Sequence, residues 1–375
     1  MSEPVCRACR GRDGQIVLDL GRQPASDHFP RLVEPGPDAR HPLQMWLCAG
    51  CGLAQLLTDP TVPEEPRGAE PAALVAQARD AVHRVSRAGL LPEGARVAEY
   101  GSPHGGSWLA MLRERGLRPV EGGEADVILD CFGMMHCPDQ AAALAERAAR
   151  LSPEGVLLLQ YHSLATIIRC GQWNALRHGH YAYYSTTALT AMLAKAGLAA
   201  RTAWTFDLYG GTVLLAASRT GVAEPDGIVR ALLAEEEAMR ITEPTRLRAL
   251  QDEAAATADA LRRYLTEQRQ AGRRVLGYGA ASRAVALLCR AGIDSVLLPA
   301  IADAAPAKHN RRMPGSGVPV ISPAELVAAE PDVVLLFLPD LATEARTALP
   351  QIEANGGRWV IAEPRPDPLA PLSAA

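Results

Sequence analysis

VAEYGSPHGGSWLAMLRERGLRPVEGGEADVILDCFG, residues 97–133, decides the fold class. ARVAEYG (95–101) is an apolar run ending in glycine, the pattern of a buried strand. SPHGGSWLAMLRERG (102–116) reads as a turn that opens a helix, LRPVEGG (117–123) as a second short strand, and ADVILDCFG (125–133) as a third. The helix DQAAALAERAARL (139–151) and the strand GVLLLQYH (155–162) continue the alternation. Strand–helix alternation predicts a parallel, doubly wound α/β sheet with helices on its faces. Downstream, RHGHYAYYSTTALTAMLAKAGL (177–198) reads as a loop and a helix. WTFDLYGGTVLLAAS (204–218) reads as two strands around Gly210-Gly211 that close the sheet antiparallel.

Outward from this core, residues 225–270 carry good helix formers and many charges and predict one long connecting helix with a solvated face. A second α/β unit begins at Arg273 (RRVLGYGAASRAVALLCRAGI, then SVLLPAIADAAP and PDVVLLFLPD). On the N-terminal side, a Pro/Glu-rich linker (59–71) precedes the helical stretch 72–91. The first sixty residues are strand-poor and bracketed by Cys6-x-x-Cys9 and Cys48-x-x-Cys51. Each C-x-x-C turn brings two thiolates to one ion, and two turns complete a tetrahedral site with no position left for water. A structural zinc on Cys6, Cys9, Cys48 and Cys51 is therefore expected, replacing a core that so short a module can hardly build. The expected boundaries are 1–60, 61–222, 223–270 and 271–375.

Length and composition agree with this division. At about 150 residues per domain, 375 residues predict two or three domains. With 38 basic against 42 acidic side chains there is no surplus of positive charge to draw the chain to nucleic acid or anionic lipid. No apolar run is long enough for a membrane span, and MSEPVCRACR lacks the apolar core of a signal peptide, so a cytoplasmic protein is expected.

The turn in 97–107 lets the backbone approach a ligand at a helix start, which marks Glu99, Gly101 and Gly105 as cofactor contacts. Glu121, about 20 residues on, stands where a nucleoside-binding fold holds ribose hydroxyls. The next strand follows at once. About 30 residues, enough for a helix, a strand and a helix, are absent from this place.

These features together are similar to a known family. The chain resembles the sugar C-methyltransferases of antibiotic deoxysugar pathways, in three parts. The paired cysteines with LDLGRQPASDHF (18–29) resemble the family's zinc module, and the middle resembles its class I methyltransferase domain. GYGAASRA (277–284) and DAAPAKHNRRMPGSGVPV (303–320) resemble its C-terminal Rossmann-like domain. The resemblance implies S-adenosylmethionine as methyl donor and a nucleotide-linked 4-keto sugar as the small-molecule substrate. It also implies a histidine that removes the proton next to the ketone. His180 matches the family's base, His136 in MMHCPD its enolate partner, and His178 is the competing base. A near-neutral imidazole suits both tasks. Tyr181 and Tyr184, next to this motif, are substrate candidates, as is Tyr278 in the second glycine turn. Arg283, Lys308 and Arg311 are candidates to neutralise phosphate.

The departures fall at the same places. The family's E-I-G-S-N-D-G is Glu99-Tyr100-Gly101-Ser102-Pro103-His104-Gly105 here, and its Y-H-E-H is Arg177-His178-Gly179-His180. The missing segment is where a class I methyltransferase builds much of its adenine pocket. Two alternatives therefore stand beside methyl transfer. One is a reaction without S-adenosylmethionine that uses the same histidine base for epimerisation, isomerisation, elimination or cyclisation. The other is a non-catalytic scaffold.

Overall fold

The computed structural model describes residues 4–34, 36–61, 70–103, 105–222 and 224–370. His104 and most of the Pro/Glu-rich linker lie outside them. Three sheets are present among the described residues.

The middle sheet has six strands in the order Arg118–Pro119, Arg96–Tyr100, Ala125–Cys131, Leu151–His162, Thr212–Arg219, Leu198–Phe206. The first four run parallel, and the last two close the sheet antiparallel. Continuous apolar runs form these strands because both faces are covered. Helix Ala72–Arg87 packs Ala78, Val82 and Val85 on one face against Val97, Val127 and Leu158. Helices Gln140–Arg150 and Thr186–Lys195 cover the other. The edge strand Arg118–Pro119 leads through Gly122 and Gly123 directly into Ala125–Cys131, so the shortening expected from the sequence is real.

The C-terminal sheet has seven strands with a parallel centre and antiparallel edges, ordered Arg311–Arg312, Pro319–Ile321, Ile301–Ala302, Val275–Tyr278, Val333–Leu336, Arg358–Ile361, Asp367–Pro368. Gly277 is required at its centre, because a Cβ there would lie 2.7 Å from Ile301 Cγ1.

The N-terminal sheet is antiparallel: Gly14–Pro24, Arg40–Cys48, Ala54–Leu56 and a fourth strand, Ala182–Tyr183, lent by the middle of the chain. That loan fixes the loop just before Ala182 against the small module.

The single long helix expected over 225–270 is two. Gly227–Ala238 ends where Arg240 takes a left-handed backbone (φ 55°), and Pro244, which has no N–H to lose, starts Pro244–Gln270. The second helix does more than connect. Its stripe Leu247, Leu250, Ala254, Ala258, Leu261 and Leu265 is buried in one core with the N-terminal sheet and helix Ser282–Arg290. Asp38 clamps the outer parts together, accepting from both terminal nitrogens of Arg312 (2.7 and 2.8 Å) and from Gly315 N–H.

Candidate active site

A cavity of about 280 Å³ opens where the three parts meet. The N-terminal module supplies Asp27 and Phe29, the middle sheet supplies the ends of its strands, and the C-terminal sheet supplies Ser282, Arg283, Lys308 and Leu338. Sites beyond the carboxyl ends of parallel strands are the rule in open α/β sheets.

The chain reaches the cavity through two short turns. After strand Ala125–Cys131, Asp130 accepts from the backbone N–H groups of Gly133 (2.8 Å) and Met134 (2.9 Å), and its other oxygen takes Arg147 Nε at 2.6 Å. This buried pair holds the turn that delivers Phe132, with a left-handed backbone (φ 60°), and His136 to the cavity wall. The second turn is Arg177-His178-Gly179-His180. Gly179 has φ +81°, a conformation costly for any residue with a Cβ. It reverses the chain, so His180 lines the cavity while His178 does not.

His178 is buried away from the cavity, with Nε2 donating to Pro42 O (3.1 Å) and its ring against His41. Burial pushes its pKa down, so it is a neutral imidazole tied to the N-terminal sheet and stands outside the site where a competing base was expected. His136 and His180 do meet, edge to face, with ring centroids 4.6 Å apart. His136 Nδ1 lies 2.9 Å from Gly179 O, and Arg177 Nη2 lies 2.9 Å from His180 Nε2.

The other expected residues divide in the same way. Tyr184 lines the cavity and donates to Gln140 Oε1. Tyr181 lies outside it, under the Arg7 guanidinium, and Tyr278 packs edge-on to Trp359 in the C-terminal core. Arg283 lines the cavity, paired at 3.1 Å with the buried Glu363, which Asn174 also holds. Lys308 lines it too, bonded to Ala280 O (2.7 Å) and Asp303 and seated over the Phe29 ring. Arg311 does not; it is spent on Phe29 O and Ala307 O.

The cofactor positions are incomplete. Ser102, Gly105 and Gly106 line the cavity, and a Cβ at Gly105 (φ +94°) would meet no atom within 4 Å, so the turn leaves open space for a ligand. Gly101 is equally open but is not part of the wall. Glu99 is occupied within the turn, accepting from Trp108 N–H (2.7 Å) and Ser107 Oγ (2.5 Å). Glu121 is exposed beyond the two-residue edge strand and outside the cavity. Of the expected cofactor positions, Gly105 lines the cavity, while Glu99, Gly101 and Glu121 do not.

Several wall residues were not singled out by the sequence. Phe132 and Tyr209 both have left-handed backbones and meet edge to face (6.1 Å). Gln160 is buried with Oε1 lacking a partner. Their one signal is position, immediately before a glycine or at the carboxyl end of a strand. His162 also lines the wall, with Nε2 on Gln172 Oε1 (2.8 Å). Burial, with Arg283 nearby, lowers its pKa to about 3, so it is a neutral group. Burial also pushes the Cys131 thiol well up, which removes it as a nucleophile.

At the far side of the N-terminal module the four sulfurs of Cys6, Cys9, Cys48 and Cys51 lie within 4.8 Å of one another, with Cys6–Cys51 and Cys9–Cys48 at 3.5 Å. Four thiolates this close, from two knuckles, fit the edges of a tetrahedron around zinc.

Three sequence families match in succession. Residues 6–65 match the family described as "Putative zinc binding domain", 119–203 match "Methyltransferase domain", and 207–364 match "C-methyltransferase C-terminal domain". Over these three stretches the chain is similar to C-methyltransferases. A similar protein is C-methyltransferase NovU of Streptomyces niveus, 26% identical over 405 residues and covering 96% of each chain. Among solved structures, a Burkholderia thailandensis 1,6-didemethyltoxoflavin-N1-methyltransferase is 15% identical, covers 45% of this chain and 96% of its own, and has a TM-score of 0.27. Magnesium protoporphyrin IX methyltransferase of Synechocystis is 12% identical, covers 40% and 84%, and has a TM-score of 0.30. None of the described helices is long and apolar enough to cross a membrane.

Proposed function

We propose that this chain is a C-methyltransferase-type enzyme of natural-product biosynthesis that removes a proton from the carbon next to a ketone, at the His136–His180 pair. The single observation that carries the reading is that pair, two imidazoles 4.6 Å apart in the wall of a cavity built by all three parts. One imidazole can take the proton while the other donates to the enolate oxygen. Arg177, Arg283 and Lys308 add positive charge to the wall, which suits an enolate and a substrate carrying a nucleotide diphosphate. A keto sugar linked to a nucleotide is the substrate class this reading names, and the cytoplasm, where four thiolates stay reduced for zinc, is its compartment.

S-adenosylmethionine, if bound, supplies an electrophilic methyl group to the nucleophilic carbon. The open glycine turn and the relation to NovU support it. A second reading is favoured by the direct passage from the edge strand to Ala125–Cys131, which among the described residues places no helix between them to wall adenosine. Under it the proton returns to the same or another carbon, giving epimerisation or isomerisation, and no methyl donor is used. Two measurements test this. With nucleoside-diphosphate 4-keto-6-deoxyhexoses in deuterium oxide, the chain should wash deuterium into the carbon next to the ketone. If no such compound exchanges, the carbon-acid reading is lost. Calorimetric titration with S-adenosylmethionine and S-adenosylhomocysteine then separates the readings: micromolar binding supports methyl transfer, and no heat at high ligand supports the donor-free reaction.

A further inference from the structure

We infer that Arg7, inside the first cysteine knuckle, is a positioning residue for the His136–His180 pair: one guanidinium ties the knuckle to the backbone behind both imidazoles. The inference rests on the carbon-acid reading for its chemistry and on the contacts of Arg7 for its geometry.

Arg7 stands between Cys6 and Cys9, so a metal held by those sulfurs fixes the backbone on both sides of it. That backbone is also bound outward. Arg7 N–H donates to Oε1 of the buried Gln55 at 2.8 Å, and Arg7 O accepts from Ala141 N–H at 3.2 Å. Gln55 belongs to the small sheet, in strand Ala54–Leu56, and Ala141 to the first turn of helix Gln140–Arg150. The knuckle thus bridges the N-terminal module and the middle sheet through its main chain alone.

The side chain extends the bridge to the two arms that carry the imidazoles. Nη1 donates at 2.9 Å to the carbonyl of Pro138, two residues after His136. Nε donates at 3.2 Å to Leu56 O, at the end of the strand that pairs with Ala182–Tyr183. The guanidinium carbon lies 4.7 Å from the ring centroid of Tyr181, which directly follows His180. The arms are also joined here, because Tyr181 N–H donates to Met135 O (2.7 Å) and Tyr181 O accepts from Leu56 N–H (3.2 Å). Arginine suits this place: its rigid fork donates in two fixed directions while its face stacks on an aromatic ring, which an ammonium cannot match. Without it Pro138 O and Leu56 O lose a donor and Tyr181 loses its cover, so the spacing of the arms loosens. A misplacement of about 1 Å is enough to cost about 100-fold in rate. Arg7 lies outside the cavity wall and so acts only through the two arms. Arg10 reaches the same loop through Asp139, but that pair is 59% and 43% exposed and adds little.

The test uses the full, zinc-loaded chain with 15N-labelled histidine, its ring signals assigned by His136→Gln and His180→Gln. Arg7→Met, which keeps an aliphatic stem, should retain the zinc, shift the ring signals of His136 and His180, and leave those of the exposed His83 in place. On a keto sugar that the unaltered chain exchanges, kcat for deuterium wash-in should fall about 10- to 100-fold. KM should stay within about twofold, because Arg7 does not meet the substrate. Arg10→Met should change neither the signals nor kcat. A purely structural arginine would lower the melting temperature without moving the imidazole signals of the folded chain. Unmoved signals, or a loss confined to KM, overturn the inference. Should Arg7→Met lose zinc or fail to fold, Tyr181→Leu decides, since it removes the ring and leaves the knuckle intact. It should move the His180 signals and lower kcat, and if it does neither the inference is lost. If the unaltered chain exchanges nothing, the carbon-acid reading falls, while the ring signals still decide whether Arg7 sets the pair.

Discussion

His162 shows how burial sets the charge of a single residue at this site. Its folded pKa is about 3, lowered by burial and by Arg283, against an ordinary value near 6.5. The unfolded chain therefore binds more protons between these values, so stability rises with pH across the window and is lost as pH falls through it. From pH 6.5 to pH 5 this residue should cost about 1–2 kcal/mol. Urea unfolding at pH 7 and pH 5 should show a larger loss for the unaltered chain than for His162→Gln, and equal losses would remove the argument. The resemblance picked out His136 and His180 among the nine histidines, but nothing in the sequence showed His162 to be a neutral wall residue. Its state is set by burial and by its partners, Gln172 ten residues on and Arg283 far along the chain, as the distant Pro42 holds His178.

Elements were far more legible. Runs such as ADVILDC and VVLL are apolar throughout because a parallel strand covered on both faces leaves no side chain in water, and these became Ala125–Cys131 and Val333–Leu336. SVLLPAIAD read equally well as a strand, yet only Ile301–Ala302 pairs, since the residues before it form turns. Several helix starts carry a local cap, such as Ser185 accepting from Ala188 N–H, but one also needs a partner that a local reading does not reveal. Thr186–Lys195 begins on Glu236, which is 2% exposed and accepts from Thr186 N–H, Thr187 N–H and Thr187 Oγ1 at 2.7 Å each. In the sequence Glu236 looked like part of a solvated charge run. Glu236→Ala leaves these donors buried and unmet, and should cost about 2–4 kcal/mol. Glu236→Gln should recover part of that, both read by thermal melting; an Ala variant as stable as the parent would show the cap to be dispensable.

On the scale of the whole molecule, the cavity exists only because the small N-terminal sheet borrows Ala182–Tyr183 and brings Asp27 and Phe29 to the wall. The zinc knuckles hold that sheet from its far end, so metal removal should reach the cavity. One zinc per chain is expected by elemental analysis. A strong chelator, or Cys48→Ser, should lower the melting temperature and reduce binding of any cavity ligand. A metal-free chain with the same melting curve would make the four cysteines incidental. The amino-acid sequence by itself determined the α/β class, the three-part order and the four-cysteine site, because apolar periodicity, glycine turns and C-x-x-C spacing are local and survive without knowledge of the partner. Only the tertiary structure decided which histidines share a cavity, that His178 turns away at Gly179, and that Arg177 engages His180. Those outcomes depend on a chain reversal and on contacts across three sheets, where a hydrogen-bond partner more than a hundred residues distant sets the direction of a side chain and its protonation.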